Sequence, residues 1–301
     1  MPAIVNGALL RSLATGFHAL FLQGWEQAKP TWPEFCTKVE STGHAETHVF
    51  DGGLPLIREW IGERQRQSIK LEGLTVVNKD YEGTIAIPCS AIKDDRVGIF
   101  KPRIMSLGTA ARLQPDQLLA NLLEKGFTTG KGYDEVAFFS ASHPTGVSGT
   151  TVSNRVSGAL SESTFEEAFT KLRKMKDYNG NLIDVLAIGG EVTLIVAANL
   201  ESTGRALVVA ENKANGASNP NYNRAKLKVL NRLPDGYWML GILGAPIAPF
   251  IHQVREEPEV VSRDQVDSDS VFNRNEAEYG VQGRWAMAYG MWQLLVGSNG
   301  S

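Results

Sequence analysis

The residues best equipped for chemistry are a glycine-rich run, a serine among glycines, a histidine pair and a group of aspartates, and each departs from the spacing its chemistry needs. Gly126-Phe-Thr-Thr-Gly130-Lys131-Gly132 resembles a phosphate-binding loop, in which backbone N–H groups wrap the phosphates and a lysine neutralises them. It is one residue short between its first two glycines, and Gly132 stands where a Ser or Thr would hold magnesium. It reads instead as a helix cap followed by a turn. Gly146-Val-Ser148-Gly149 lacks the second spacer of a nucleophile elbow, and no strongly apolar strand leads into it, so Ser148 reads as a loop serine.

His44 and His48 are four apart, the spacing that puts two metal ligands on one helix face, but the Ala-Glu-Thr between them is not the zinc-protease arrangement. They read as solvated histidines. Asp264, Asp267 and Asp269 offer oxygen ligands without the glycine and terminal Glu of a calcium loop, and read as a solvated acidic loop. His143 and His252 stand alone, each as a satisfied structural histidine. No triad, dyad or metal set assembles from these spacings, so no catalytic, cofactor-binding or metal site is expected, and no cofactor.

Composition excludes further classes. The formal net charge is -3 with Lys and Arg dispersed along the chain, which leaves no basic stretch for dedicated nucleic-acid binding. Two cysteines, Cys36 and Cys89, are too few for a disulfide framework; they fit a reducing cytoplasm and read as small apolar residues. No apolar run is long enough to span a membrane, and Met1–Gln23 lacks the continuous apolar centre of a signal peptide, so the protein is expected to stay where it is made. At 301 residues with 43% hydrophobic residues, the chain can bury a core without staples, as one large domain or two intertwined ones.

An amphipathic stretch over Leu9–Trp25 predicts a helix, which Pro30 and Pro33 stop. Glu34–Phe50 reads as an extended arm that needs a partner surface. A short helical pattern over Leu56–Gln67 leads to an expected hairpin, in which Leu74–Val77 and Thr84–Ile87 flank a turn at Asn78–Gly83. Gly98–Phe127 has a helical pattern capped by Gly126 and interrupted by Pro115, as either a kink or the first residue of a second helix with Asp116 near its N-terminus; one long, bent helix is expected. Gly130–Thr151 reads as loop with a short strand.

A further helix is expected to open at Ser163 or Thr164 with a capping box to Glu166 or Glu167, burying Phe165, Phe169, Leu172 and Met175, and to end at Asp177–Gly180. Thr193–Ala197, Lys226–Val229 and Tyr237–Leu243 predict strands, Asn199–Val208 a helix, and Glu211–Asn223 an exposed loop. From Tyr279 to Met291 bulky residues alternate with Gly280, Ala286, Ala288 and Gly290, a strand whose bare face suits close approach of the long helix. The mixed order of elements favours an α+β fold.

Four stretches are similar, in order and spacing, to the Mu-like bacteriophage major head subunit family, the gpT-type major capsid proteins. They are Pro55–Gly62, Val77–Thr84, Ala111–Leu118, and Asn275–Val281 continuing to Tyr289–Gln293. The resemblance implies the tailed-phage major capsid fold, with an N-terminal arm (1–54), an extended hairpin loop (55–96), a peripheral domain with a long spine helix (97–160), an axial domain (161–250) and a return to the peripheral sheet (251–301). It further implies a non-enzymatic virion protein, made in the bacterial cytoplasm, that self-assembles as pentamers and hexamers of an icosahedral head around double-stranded DNA. Lys79, Asp80, Tyr81 and Glu82 are its subunit-contact candidates.

Some members of this fold class carry a scaffolding extension ahead of the arm. Here only a short arm stands there, so scaffold, maturation protease and portal are expected as separate proteins. An encapsulin-like compartment shell is the alternative on the same fold, and a cytoplasmic hydrolase using one of the incomplete motifs is the alternative from another class.

Overall fold

The computed structural model describes residues 7–51, 71–94, 97–146, 149–265 and 268–301, so the helix expected over Leu56–Gln67, Ser148 and Asp267 lie outside the described residues. In chain order the elements begin with helix α1 (Gly7–Gln27), strands β1 (Cys36–Glu40), β2 (Ala45–Asp51), β3 (Leu71–Val77) and β4 (Lys79–Pro88), and helices α2 (Cys89–Lys93) and α3 (Lys101–Lys125). Short strands β5 (His143–Pro144) and β6 (Thr151–Val152), helix α4 (Glu162–Arg173), β7 (Glu191–Ala197), α5 (Glu201–Val208), β8 (Lys226–Leu230) and β9 (Trp238–Leu243) follow. The chain continues through β10 (Phe250–Arg263), α6 (Asp269–Arg274), β11 (Glu276–Tyr289) and β12 (Leu295–Ser298). Helices and strands are mixed without regular alternation, as an α+β fold requires.

The first sheet runs β1-β10-β11-β4, with β1 parallel to β10 and the remaining pairs antiparallel. Helices α1 and α3 cover the bulky face of β11. Phe17 of α1 stacks on Tyr279 at 4.8 Å, Trp285 Nε1 donates to Gln114 Oε1 at 2.7 Å, and the Tyr289 hydroxyl donates to the Leu122 carbonyl at 2.8 Å. The long helix was expected on the bare face. It lies on the other because the large rings supply the apolar area whose burial drives the packing. The bare face, at Ala286 and Ala288, receives Leu74 and Val76 of β3.

Helices α1 and α3 meet where glycines remove the side chains between them. A Cβ at Gly108 would lie 2.2 Å from the Phe21 carbonyl oxygen, and one at Gly24 would lie 2.0 Å from that of Met105. The Thr109 hydroxyl closes the crossing by donating to the Gly24 carbonyl at 3.0 Å. Pro115 sits inside α3, which runs through it as one helix; Gly126 caps it in a right-handed conformation, not the left-handed one that glycine caps often adopt.

The expected hairpin is not formed as predicted. Leu74–Val77 pairs with β2, where Leu74 faces His48, whereas Thr84–Ile87 pairs with β11, where Ile85 faces Tyr279. Asn78–Gly83 is therefore no turn. Only Asn78 breaks the strand, its side chain donating to Ser41 Oγ at 2.8 Å and the Gly43 carbonyl at 2.9 Å, and Lys79–Gly83 continues as the edge strand of the sheet. Its polar composition reflects an exposed sheet edge, which resembles a turn in composition. The two-stranded ribbon is β2–β3, and the extended segment after Pro33 supplies both β1, at the edge of the first sheet opposite β4, and β2.

The second sheet runs β12-β9-β7-β8 and carries the larger core with α4, whose Phe165, Phe169 and Leu172 are buried, as is Met175 beyond the helix end. This helix opens at Ser161, two residues before the expected cap, and Thr164 completes the capping box in place of a glutamate. Strand β12 joins this second sheet through β9, so the chain after residue 251 does not wholly return to the first. Strand β10 was not foreseen, because Arg-Glu-Glu-Pro-Glu breaks its alternation; the pairing shifts register between Val254 and Glu259, and Pro258 falls within that irregularity. The segment 211–223 is exposed at its tip but buries Asn219 and Asn221, and Asn219 Nδ2 donates to the carbonyls of Ala206, Leu207 and Ala210 at the end of α5.

Candidate assembly surface

Lys79, Asp80, Tyr81 and Glu82 lie consecutively on β4, opposite Trp285, Arg284, Gly283 and Gln282 of β11. Alternation along the strand gives them different duties. The Tyr81 ring stacks on Trp285 at 4.7 Å, and burial pushes its phenol pKa up. Asp80 pairs with Arg284 at 2.6 Å, and Arg284 also approaches Glu256 at 3.7 Å. Glu82 accepts from the Thr84 hydroxyl at 3.0 Å, and Lys79 is exposed. Tyr81 is thus committed to the subunit's own packing, while the charged groups line an edge open to solvent.

The root of the β2–β3 ribbon is fixed by a buried amide. Gln253, fully buried on β10, donates from Nε2 to Asn78 Oδ1 at 2.7 Å and to the Val76 carbonyl at 3.2 Å. Its oxygen therefore faces His48 Nε2 at 2.7 Å, which makes that nitrogen the donor. Phe50 stacks on Tyr133 at 4.7 Å, while Val49 is 57% exposed. One side of the ribbon is seated on the body and the other, with Val49, Thr47 and Thr75, is exposed.

The segment after Pro30 is held to α3 by one carboxylate. Asp116 Oδ1 accepts from the backbone N–H groups of Thr31 at 3.0 Å and Trp32 at 2.7 Å, just where a 3-10 turn over Trp32–Glu34 begins. The sequence suggested a helix N-terminal role for Asp116; the N-terminus it serves belongs to another element.

The residues considered for chemistry are dispersed. Gly126–Gly132 forms the α3 cap and turn, with no phosphate cradle. His44 precedes β2 and His48 lies within it, so the extended backbone separates them by roughly 13 Å, too far to share a metal. Asp264 is buried, not solvated; burial, and after it the Asp264 carboxylate, raises the pKa of Tyr279, and Asp269 stands in the first turn of α6. Among the described residues no three His, Cys, Asp or Glu side chains gather as metal ligands, and no helix is long and apolar enough to cross a membrane. Cys36 and Cys89 are buried and form no disulfide, and burial pushes the Cys36 thiol pKa up.

His143 is fully satisfied. Its Nδ1 meets Asp134 Oδ2 at 2.5 Å, its Nε2 meets Asn154 Oδ1 at 3.0 Å, and its ring stacks on Trp292 at 3.7 Å. Asn154 Nδ2 faces backbone carbonyls at Phe138, Trp292 and Leu295, so Nε2 of His143 carries a proton and the node is structural. His252 differs from expectation: it is buried, but neither ring nitrogen has a partner.

Two sheets joined by the last strands, a long helix across one of them and a separate two-stranded ribbon define a capsid subunit of the tailed-phage type. The fold matches the procapsid of bacteriophage JBD30 with a TM-score of 0.62 at 24% identity, over 98% of this chain and 76% of that one. By sequence, the chain is 27% identical to the major capsid protein of Escherichia phage Mu, over 99% of this chain and 75% of that protein. It is also 27% identical to the Mu-like prophage FluMu major head subunit of Haemophilus influenzae, over 97% and 73%. The model of the Mu-like prophage major head subunit gpT family matches residues 10–165, 155–233 and 234–301, and the chain belongs to that family. It is a structural head protein of the virion and not an enzyme.

Proposed function

We propose that the subunit assembles by heterologous contacts into pentamers and hexamers that close as an icosahedral head around double-stranded DNA. The observation that carries this reading is the β2–β3 ribbon: among the described residues the strands pair only with each other, their root is pinned by Gln253, and Val49 remains exposed. A two-stranded ribbon is marginal in water by itself, so a neighbouring subunit is the natural cover for its free side. Contacts that join unlike surfaces close into rings, as five- and six-fold capsomers require. In this reading the first sheet with α1 and α3 is the peripheral domain, residues 161–250 are the axial domain, and Lys79–Glu82 contact a neighbour along the β4 edge. Scaffold, maturation protease and portal are separate proteins, and contact with packaged DNA is independent of sequence.

Negative-stain electron microscopy and sedimentation of the purified protein, alone and co-expressed with scaffold, test this. Shells, rings or curved sheets of five- and six-fold capsomers are expected, with nuclease-protected double-stranded DNA in heads from an infected host. A uniform monomer or dimer that never assembles with scaffold would overturn the proposal.

A further inference from the structure

Between the end of α1, strand β1, the middle of α3 and the first sheet lies a cavity of about 310 Å³, lined by Trp25, Trp32, Trp285, Arg112, Lys38 and His252 among others. It falls at the small end of the range for small-molecule sites. Two of its polar groups lack partners. His252 is 5% exposed with neither Nδ1 nor Nε2 hydrogen-bonded, and Arg112 Nε is buried and equally unpaired. Native proteins satisfy nearly all such atoms, so three of them on two side chains bordering one cavity call for partners from within it.

The lining defines the ligand's chemistry. Lys38 is paired with Glu257 at the rim, so these charges offset one another and the Arg112 guanidinium is left as the net charge. Burial lowers the pKa of His252 to about 4, so at neutral pH its ring offers one N–H donor and one lone pair without charge. Three indoles supply aromatic wall; Arg112 lies over Trp25 at 4.8 Å, and Trp32 meets His252 edge-on at 4.3 Å. The complement is a single negative charge that accepts N–H bonds, carried on a flat apolar body.

We propose that this cavity is a binding site for a planar aromatic carboxylate, whose carboxylate accepts from Arg112 Nε and the His252 ring N–H while its ring lies among Trp25, Trp32 and Trp285. The site is contained within one subunit and does not depend on the mode of assembly.

Isothermal titration calorimetry of the purified protein with 2-naphthoate and with uncharged 2-naphthamide tests the site. One naphthoate per subunit is expected, with naphthamide at least ten-fold weaker. Arg112→Met is expected to weaken naphthoate at least ten-fold, and His252→Phe, which fills the cavity, to remove binding; unfolding curves establish that both variants fold. The naphthoate–naphthamide comparison needs no variant. Absence of naphthoate binding, equal affinity for the amide, or undiminished binding in both folded variants would overturn the proposal.

Discussion

The side chain of Asp116, midway along the long helix α3, accepts a 2.7 Å hydrogen bond from the backbone N–H of Trp32, a residue far earlier in the chain. A second N–H, from Thr31, meets the same carboxylate, so one ionised group fixes where the segment after α1 turns toward the first sheet. Hydrogen bonds to a charged acceptor contribute roughly 1.5–3 kcal/mol. Asp116→Ala should therefore lower unfolding free energy by about 2 kcal/mol, and Asp116→Asn, which keeps an acceptor, by less. Guanidinium denaturation measures both.

Gly108→Ala should destabilise the subunit by about 1–3 kcal/mol, because the added Cβ would collide with the Phe21 carbonyl at the α1–α3 crossing. Gly16→Ala, in α1 with nothing within 4 Å of its Cβ, should instead stabilise by about 0.5–1 kcal/mol, the ordinary helix effect. Thermal melts of the two variants should move in opposite directions, and equal shifts would rule out the tight crossing.

Asn219→Ala should cost about 1–2 kcal/mol and speed hydrogen exchange in α5, since its amide serves three carbonyls at that helix end. Asn219→Asp should be worse, because it turns an acceptor toward acceptors. Protection of β12 should change little in either variant.

Stability should fall as pH drops from 6.5 toward 4. The unfolded chain protonates His252 near 6.5, whereas the folded protein holds it neutral down to about 4. Protons therefore favour the unfolded state across that window, by roughly 3 kcal/mol at its lower end, with no further loss from this residue below it. His252→Phe should flatten this part of the profile in urea titrations at several pH values.

Lys79→Glu with Glu82→Lys should impair assembly while leaving subunit melting unchanged, because Lys79 and Glu82 are exposed on the β4 edge. Tyr81→Ala should lower the melting temperature itself, since it removes the stack on Trp285. Sedimentation and calorimetry on the same samples separate the two effects.

Elements with local signatures were legible in the sequence. The apolar spacing of α1 and α3, the β-branched run at Thr193–Ala197 and the alternation of β11 each follow from residues close together in the chain. Pairing was not legible, because partners are chosen by the whole fold: Leu74–Val77 and Thr84–Ile87 look like one hairpin and belong to two sheets. Strand β10 was hidden by its acidic, proline-containing middle. The groups that organise the candidate surface, Gln253, Asn78 and Asp116, are single polar residues whose importance comes from distant backbone atoms, and no spacing rule announces them. Family resemblance reached the fold where local patterns stopped.

Strand β1 has its partner in β10, and β7 and β9 share a sheet with β12, so both sheets are finished by residues made late in synthesis. A nascent chain can form α1 and α3 early but must hold them without a complete sheet beneath. Such distant pairings slow folding. They also set an order: β1 and β4, the two edges of the first sheet, stay unpaired until β10 and β11 have left the ribosome, so that sheet closes late in synthesis.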